Sequence, residues 1–423
     1  MSQTIDSPRV LPSLSEAEVI AAGRRFFEEH AQPRAEVIRG WGQGDDDVVA
    51  KQSRAQERVD HDVAREFRAC LYDEGLAWID GPPEYGGQGL STAAAERFLE
   101  LTLQYAIPPT GSLLTTLRIV APAVAEHGST ELKDDVLARL QRCDLIGCQL
   151  FSEPEAGSDL ANVRTRAVRD GDSWVVSGQK VWTSTGHLSD VGLLLARTDP
   201  DAAKHAGLTM FLIDMDAPGV TVRPLRQMTG SAHFNEVFLD GVVVPDARRV
   251  GDVGAGWQVT TATLGGERKA VGQSQEAPPT VVVERVIELF HHLPPADPAV
   301  AAAVRQQIAR AHSLARTLVW TTDRFIDASH GEPGPEMSVL KLLRNKVLAE
   351  AMSAAGRILG PRMAADTGEW GTYAWTRALV SIPGLRIAGG TDEIQRNILG
   401  ERVLGLPREP KAPAADRPTG GRS

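Results

Sequence analysis

Three short segments carry residue types that could bind or transform a small ligand. In residues 152–159 a Gly-Ser step follows an apolar strand pattern, so backbone N–H groups and the Ser158 hydroxyl can be aimed at an anion such as a pyrophosphate. A tight turn with a local Ser or Asp cap explains the same letters. In residues 178–184 the hydroxyl of Ser184 follows Trp182 by two positions. This arrangement can cover a planar ring and hydrogen-bond its edge, although a strand tryptophan in a core also fits.

The third segment, residues 387–396, contains the adjacent glycines Gly389 and Gly390. Glycine permits a close backbone approach to a ligand, and Thr391 or Asp392 can cap the helix pattern that follows. A loop–helix junction that needs glycine only for its turn geometry is the alternative. Each of the three segments is therefore compatible with a site but does not establish one alone.

Other glycines and histidines do not form a recognisable site. Gly251, Gly254 and Gly256 do not complete a G-x-G-x-x-G motif and do not open a βαβ unit, so a Rossmann site is not predicted. The H-E-x-x-H, Walker and G-x-S-x-G motifs are absent from the sequence. The pair His291-His292 is typical of a solvated helix end, and no metal site is predicted.

The elements that must position these segments follow from hydrophobic periodicity. Residues 13–140 have a helical period, and Ser13 with Glu16 predicts a capping box at its start. From 145 to 250 the period changes to two, with Asp170-Gly171 as a hairpin signal, and from 257 to 404 helical patterns return. The prediction is an α+β fold with an N-terminal helical domain at 1–144, a middle β domain at 145–250, a C-terminal helical bundle at 251–405 and a disordered tail at 406–423.

Composition excludes several functional classes. The 423 residues carry a formal net charge of -10 and no basic stripe, which argues against nucleic acid as a partner. No apolar run reaches the roughly 18 residues that a membrane-spanning helix requires, and the N-terminus lacks the apolar core of an export signal. The three cysteines form no C-x-x-C pair. These features predict a cytoplasmic protein.

Taken together, the motifs resemble those of the acyl-CoA dehydrogenase family over about residues 15–407. Each motif is weak alone, but their order and spacing are specific. The resemblance rests on Pro83–Leu90, Glu153-Pro154, Ala156–Asp159, Gly178–Lys180 with Trp182, Asn235–Phe238, Val244-Pro245, Gly254–Trp257, Gly389–Thr391 and Ile394–Arg396.

The resemblance implies a middle domain that is barrel-like, a C-terminal four-helix bundle and FAD as the cofactor. It assigns flavin contacts by position, with Trp182 flanking the ring, Ser184 bonding its N5 atom and Gly157 and Ser158 near the pyrophosphate and thioester. The residues so assigned are Gln149, Phe151, Ser152, Gly157, Ser158, Trp182, Ser184, Thr391 and Glu393.

The catalytic base departs from the commoner family pattern. Many members carry a glutamate just before the Gly-Thr pair, and this chain has Gly389 there. A second family solution, similar to that of isovaleryl-CoA and long-chain acyl-CoA dehydrogenases, places a glutamate on a helix immediately before an arginine. Glu267 with Arg268 matches that solution, so Glu267 is expected to remove the substrate α-proton. The Gly389 N–H and Arg268 are expected to contact the substrate, where a donor to a developing enolate typically contributes about 3–4 kcal/mol.

The resemblance also concerns substrate and partners. Helical-base members often take branched, cyclic or bulky acyl groups, and the segment from Gly390 to Pro407 resembles enzymes that degrade steroid side chains. Electrons are expected to pass to an electron-transfer flavoprotein or a similar acceptor. The family's Arg-x-x-Phe-Gly motif, which reaches the FAD of a neighbouring subunit, is missing from residues 281–295, and Arg357 replaces the usual glutamine.

These departures leave two assemblies open, a homo-oligomer such as a tetramer and an α2β2 complex with a related chain. Two other functions are known on the same fold and remain alternatives to dehydrogenation. One is a flavin monooxygenase, and the other is a non-catalytic partner subunit of a heteromeric dehydrogenase.

Overall fold

The structure is a computed structural model that describes residues 13–34, 53–270, 278–329, 334–364 and 374–408, apart from the side chains of 265–270, 326–329 and 374. It forms two compact units. The first comprises the described parts of Met1–Ala277 and Pro361–Ser381, and the second those of Pro278–Gly360 and Ile382–Ser423. No described helix combines the length and the hydropathy that a membrane span requires.

The first unit begins with helices that pack around a core of aromatic and aliphatic side chains. Phe27 is fully buried and stacks on Tyr105 at 5.2 Å. The first helix begins at Glu16 because Ser15 and Glu18 form a reciprocal capping box, so the box predicted for Ser13 and Glu16 was wrong by two positions. The elements are α1 (Glu16–His30), β1 (Gln32–Pro33), α2 (Arg54–Asp73), α3 (Thr92–Thr102), β2 (Tyr105–Ala106), α4 (Ala121–His127) and α5 (Thr130–Arg142).

An eight-stranded sheet follows, with the strand order β10-β7-β6-β4-β5-β9-β8 and with β3 paired in parallel to β6. Strand β6 is buried at six of its seven positions, which matches its unbroken apolar run. Its strands are β3 (Gly147–Leu150), β4 (Arg166–Asp170), β5 (Ser173–Ser184), β6 (Val191–Arg197), β7 (Leu208–Asp214), β8 (Val220–Leu225), β9 (Phe234–Pro245) and β10 (Arg249–Val250).

Both faces of the sheet are covered. On one face Leu193 and Leu195 join a cluster with Val136 and Leu140 of α5. On the other face Leu194 joins Trp174, Phe211 and Val237 from neighbouring strands. The strand registers around the candidate ligand segments are therefore held by packing on both faces.

The remaining helices complete both units. Helix α6 (Gly256–Ala270) belongs to the first unit, and α7 (Pro279–His292), α8 (Pro298–Ser329) and α9 (Ser338–Leu359) pack together in the second. Helix α10 (Ala374–Ile387) is divided between the units, and α11 (Asp392–Ile398) packs against α9. The order of helices, sheet and helices confirms the predicted α+β fold class, and the described part of the predicted tail ends at Arg408.

Candidate active site

A buried lysine fixes the chain where β3 ends. Lys180 on β5 is fully buried, and its Nζ donates to Phe151 O at 3.1 Å and to Leu195 O at 2.7 Å. It also forms an ion pair with Glu153 Oε1 at 2.8 Å. Burial lowers the pKa of Lys180 to about 8, against the opposing effect of the Glu153 charge. One side chain thus ties β5 and β6 to the residues that follow β3.

Glu153 is the partner that makes this burial tolerable. Its carboxylate accepts hydrogen bonds from Arg164 N at 2.7 Å and Thr165 N at 2.8 Å in addition to the lysine. Burial pushes the pKa of Glu153 up, but the charge and hydrogen bond of Lys180 and the other donors outweigh it and leave the pKa below its ordinary value. The turn after β3 is therefore held by a buried, hydrogen-bonded ion pair.

The turn itself presents the residues predicted to lie near a pyrophosphate. Reciprocal backbone hydrogen bonds of 3.1 Å join Glu153 and Ala156 and close the turn. Gly157 and Ser158 beyond it are exposed, and a Cβ added at Gly157 would meet nothing within 4 Å. This segment is open to a ligand, and the turn that precedes it is fixed.

A β-bulge in β5 redirects the predicted ring-covering tryptophan. Lys180 pairs with Val237 and Thr183 pairs with Asn235, so two residues of β5 stand opposite one residue of β9. Trp182 lies in the bulge with a left-handed φ of 62°. Its indole is 58% exposed and meets Phe234 edge-on at 5.8 Å.

The bulge and the end of β3 are joined directly. Val181 N donates to Ser152 O at 2.9 Å, which brings the predicted contact residues Ser152 and Trp182 into one region. Gln149 is half-buried on β3, whereas the Phe151 ring is 4% exposed and packs in the core. Ser184, half-buried, ends β5, and the next residue, Thr185, has a left-handed φ of 53°.

Helix α6 carries the predicted base. It starts where only glycine fits, because a Cβ at Gly256 would lie 2.7 Å from the backbone of Leu208 and Thr209. The hydrogen bond from Gly254 N to Thr209 Oγ1 at 3.0 Å also fixes this start. The backbone of Glu267 and Arg268 lies in this helix, and their side chains are outside the described residues.

The second unit contains the predicted glycine loop. Gly389 and Gly390 both have left-handed backbones, with φ of 62° and 87°. Gln395 Nε2 donates to Gly389 O at 2.9 Å, and Lys341 Nζ donates to Gly390 O. Thr391, not Asp392, caps α11 by accepting a hydrogen bond from Ile394 N at 3.2 Å.

Asp392 serves the loop in a different way. It is 5% exposed and accepts from Arg386 Nε at 2.8 Å and from Asn345 Nδ2 at 2.7 Å. Burial pushes the pKa of Asp392 up, but these two hydrogen bonds and the arginine charge leave it below its ordinary value. Glu393, by contrast, is exposed. The loop is thus anchored at both ends by side chains of its own unit.

One group of residues next to the tryptophan joins parts of the chain that are far apart in sequence. Asn235, fully buried on β9, accepts a hydrogen bond from Arg54 of α2 at 2.7 Å and donates to Thr183 O at 3.0 Å. Arg54 and Asn235 are separated by 181 positions. Hydrophobic periodicity cannot reveal such a pairing.

Models of three protein-family domains match the chain in sequence order. They are the acyl-CoA dehydrogenase N-terminal domain at residues 46–144, the middle domain at 148–242 and the C-terminal domain at 254–404. Together these matches cover most of the chain and include residues 152–159, 178–184 and 387–396.

Curated relatives and a solved structure are similar to this chain over much of its length. Acyl-CoA dehydrogenase IpdE1 of Mycobacterium tuberculosis is 37% identical over 83% of this chain and 91% of its own length. Acyl-CoA dehydrogenase FadE34 of the same organism is 41% identical over 68% of this chain, and the match spans only 39% of its length. The crystal structure of the ChsE4-ChsE5 complex, also from M. tuberculosis, contains a chain with 30% identity and a TM-score of 0.68, covering 95% of this chain and 100% of that one.

Proposed function

The chain belongs to the acyl-CoA dehydrogenase family of FAD-dependent oxidoreductases, and from that premise we propose that it removes the α and β hydrogens of an acyl-CoA thioester with Glu267 as the base. The product is the trans-2-enoyl-CoA. The observation that carries the choice of base is the continuous helix α6 through Glu267, combined with a glycine at position 389 where many relatives have a glutamate.

The residues of the first unit fit a flavin. An indole that is 58% exposed on a bulge is an apolar surface of the kind that a planar ring can cover. Ser184 and Ser158 are near-surface hydroxyls suited to bond a ring edge and a phosphate, and Gly157 leaves space beside them. Bound FAD supplies the acceptor for the hydride that leaves the β-carbon.

The chain's own residues would divide the remaining work. The Glu267 carboxylate takes the α-proton, and general-base help of this kind typically accelerates a reaction ~10²–10⁴-fold. The Gly389 N–H is proposed to donate to the thioester oxygen, where charge develops as the proton leaves. Trp182 and Ser184 are proposed to orient the ring, and Arg268 to contact the substrate.

A branched, cyclic or bulky acyl group is the proposed substrate class. Gly389 has no side chain, so this chain lacks the carboxylate that many relatives carry at that loop position. Moving the base to a helix frees that side of the acyl pocket for a wider group. The resemblance of the Gly390–Pro407 segment to enzymes of steroid side-chain degradation supports the same class.

The proposed assembly is heteromeric, with this chain as the base-bearing subunit. The Arg-x-x-Phe-Gly motif is missing from residues 281–295, so the usual contribution to a neighbour's FAD has no counterpart in the sequence. The similar ChsE4-ChsE5 chain was solved as a complex of two proteins. An electron-transfer flavoprotein or a similar protein would then take up the electrons.

Replacing Glu267 by glutamine tests the base. We expect the rate of flavin bleaching under anaerobic acyl-CoA titration to fall about 10²–10⁴-fold, with the FAD content unchanged. Glu288→Gln, on the exposed face of α7, is the matched control and should keep the wild-type rate. A Glu267→Gln protein that reduces its flavin at the wild-type rate removes Glu267 from this role.

The same titration, run with straight, branched and steroidal thioesters, tests the substrate class. Bleaching by straight-chain thioesters alone would contradict the proposed class. Oxygen consumption without enoyl product would instead support a monooxygenase, and a flavin-free protein that binds no acyl-CoA would support a non-catalytic subunit.

A further inference from the structure

The turn from Trp182 to Thr185, here called the tryptophan turn, has an unusual backbone. Among the described residues, only three that are not glycine have a left-handed φ. Two of them lie at the ends of this turn, Trp182 with a φ of 62° and Thr185 with a φ of 53°. The left-handed region costs an L-residue roughly 1–2 kcal/mol, and for β-branched threonine it is a genuine outlier. Such conformations persist only where the surroundings over-determine them.

Asn235 on β9 provides the contacts that hold the turn in this conformation. Its amide Nδ2 lies 3.0 Å from Thr183 O, 3.2 Å from His233 O and 3.3 Å from His187 Nδ1. His233 O in turn accepts from Thr185 N at 3.2 Å, so a single amide group contacts both the turn and the carbonyl that holds its far end. A side-chain amide has two N–H groups to share among these acceptors.

The orientation of this amide is fixed from outside the sheet. Arg54, at the start of α2, donates from Nη2 to Asn235 Oδ1 at 2.7 Å. Arg54 also donates hydrogen bonds to Ala232 O, from Nε at 3.0 Å and from Nη2 at 2.9 Å. An arginine can only donate, so the Asn235 oxygen must face Arg54 and the nitrogen must face the turn.

Packing leaves the turn little room to relax. Gly186 follows it directly, and a Cβ there would come within 2.9 Å of Thr183 Cγ2 and 3.5 Å of Asn235 Nδ2. Asn235 itself is fully buried, so water cannot take over its hydrogen bonds. The geometry of the turn thus depends on one buried side chain.

From this arrangement we infer that Asn235 is a positioning residue for the flavin site, acting through the tryptophan turn. The inference rests on the proposed function, in which Trp182 and Ser184 meet the flavin ring. Asn235 holds the peptide between them, and Arg54 holds Asn235. Loss of the amide donor would let the turn relax toward ordinary strand geometry and move the indole and the Ser184 hydroxyl together.

Asn235→Asp is the sharpest variant, because it keeps an oxygen that faces Arg54 and replaces the N–H donor that faces the turn by an acceptor oxygen, with the added carboxylate charge next to the Arg54 guanidinium. The experiment uses the full chain, together with its partner chain if one co-purifies. We expect a folded protein with weaker FAD binding on reconstitution and an altered visible flavin band. The limiting rate of anaerobic flavin reduction should fall about ten- to hundredfold with little change in KM, since small misplacements of a reacting group are costly. Gln104→Glu, the same amide-to-acid change at an exposed position, should behave as wild type.

A double-variant cycle separates positioning from general damage. If Asn235 acts through the turn, Asn235→Asp combined with Ser184→Ala should lose no more rate than the worse single variant. Losses that multiply would overturn the inference, as would wild-type FAD affinity, spectrum and rate in Asn235→Asp. Should Asn235→Asp fail to fold, Arg54→Ala withdraws the support of the amide from the start of a helix, and the same non-multiplying pattern with Ser184→Ala is expected.

Failure of the proposed function would look different. In that case none of the acyl-CoA thioesters would bleach the flavin of the unmodified chain, and the same would hold for every variant at position 235. FAD affinity and the flavin band of Asn235→Asp would still decide the inference in that case, because neither measurement requires turnover.

Discussion

The tryptophan turn in the first unit and the glycine loop in the second obtain the same left-handed backbone by opposite means. The turn uses Trp182 and Thr185, whose side chains disfavour that conformation, and it depends on buried partners. The loop uses Gly389 and Gly390, for which the conformation carries no steric penalty, and its partner Lys341 is only half-buried.

The two geometries are encoded in different residues. The glycine loop is encoded in its own residues, and its neighbours add stability to a conformation that is already allowed. The tryptophan turn is held directly by the buried Asn235, and the β5 strand that leads into it is fixed by the buried pair of Lys180 and Glu153. Substitutions around the two segments should therefore differ in size and in kind.

The largest difference is expected between two lysine-to-methionine substitutions. Lys180→Met leaves Glu153 buried without a counter-charge and should lower the free energy of unfolding by about 3–5 kcal/mol. Lys341→Met, beside the glycine loop, should cost less, about 1.5–3 kcal/mol, because the half-buried ammonium loses its hydrogen bonds to Ala388 O and Gly390 O. Urea denaturation of both variants measures this. Equal losses would erase the proposed contrast, and Lys180→Met with Glu153→Gln should recover part of the larger loss.

A smaller effect, with a defined pH dependence, is expected at the glycine loop. Asp392→Asn should cost about 1.5–3 kcal/mol at neutral pH, because a buried carboxylate loses its charge-assisted hydrogen bonds. The folded-state pKa of Asp392 is lowered, so its contribution is complete above the ordinary value of 3.8 and is lost as pH falls through the folded-state pKa.

Urea denaturation of wild type and Asp392→Asn between neutral and acidic pH measures that dependence. The two stabilities should converge only at the acidic end. Asp323→Asn, the same change on the exposed part of α8, should stay within about 0.5 kcal/mol of wild type throughout. A pH-independent gap would mean that the carboxylate charge contributes nothing.

The smallest effect concerns two threonines separated by one residue. Thr183 lies in the extended ladder and Thr185 has a φ of 53°, and both are buried. Glycine at 185 relieves a disfavoured conformation, whereas glycine at 183 does not. Thr185→Gly should therefore be more stable than Thr183→Gly by about 1–2 kcal/mol. Thermal unfolding of the pair checks this, and the reverse order would show that Thr185 is not strained.

The two segments also differ in how much of their structure the sequence predicts. The change of hydrophobic period at about 145 and again near 257 predicted the order of helices and strands, because burial imposes that period. The glycines at 389 and 390 signalled a loop whose left-handed backbone the structure confirms, and Gly171 signalled the β4–β5 hairpin. The family resemblance is likewise confirmed, whereas the roles of Glu267 and the ring contacts stay predictions.

The bulge at Trp182 could not be predicted, because tryptophan followed by threonine and serine is ordinary strand sequence. The bulge depends on the register with β9, and the register depends on packing across the sheet. The capping box was missed by two positions because Ser13 and Ser15 both stand three residues before a glutamate. The local pattern is compatible with a helix start after either serine. The start after Ser15 is the one observed, and it accompanies the burial of Val19 and Phe27 in the core.

The pairing of β5 with β9 has a consequence for the order of assembly. Asn235 and Thr183 are 52 positions apart, and Arg54 lies 181 positions before Asn235. Closing such loops is slow compared with forming a hairpin like β4–β5, because their entropy is lost before any contact repays it. During synthesis, a ribosome must release residue 235 before the tryptophan turn can close. The turn therefore cannot form until more than half of the 423 residues have been made, and a chain that ends before residue 235 would leave it unformed.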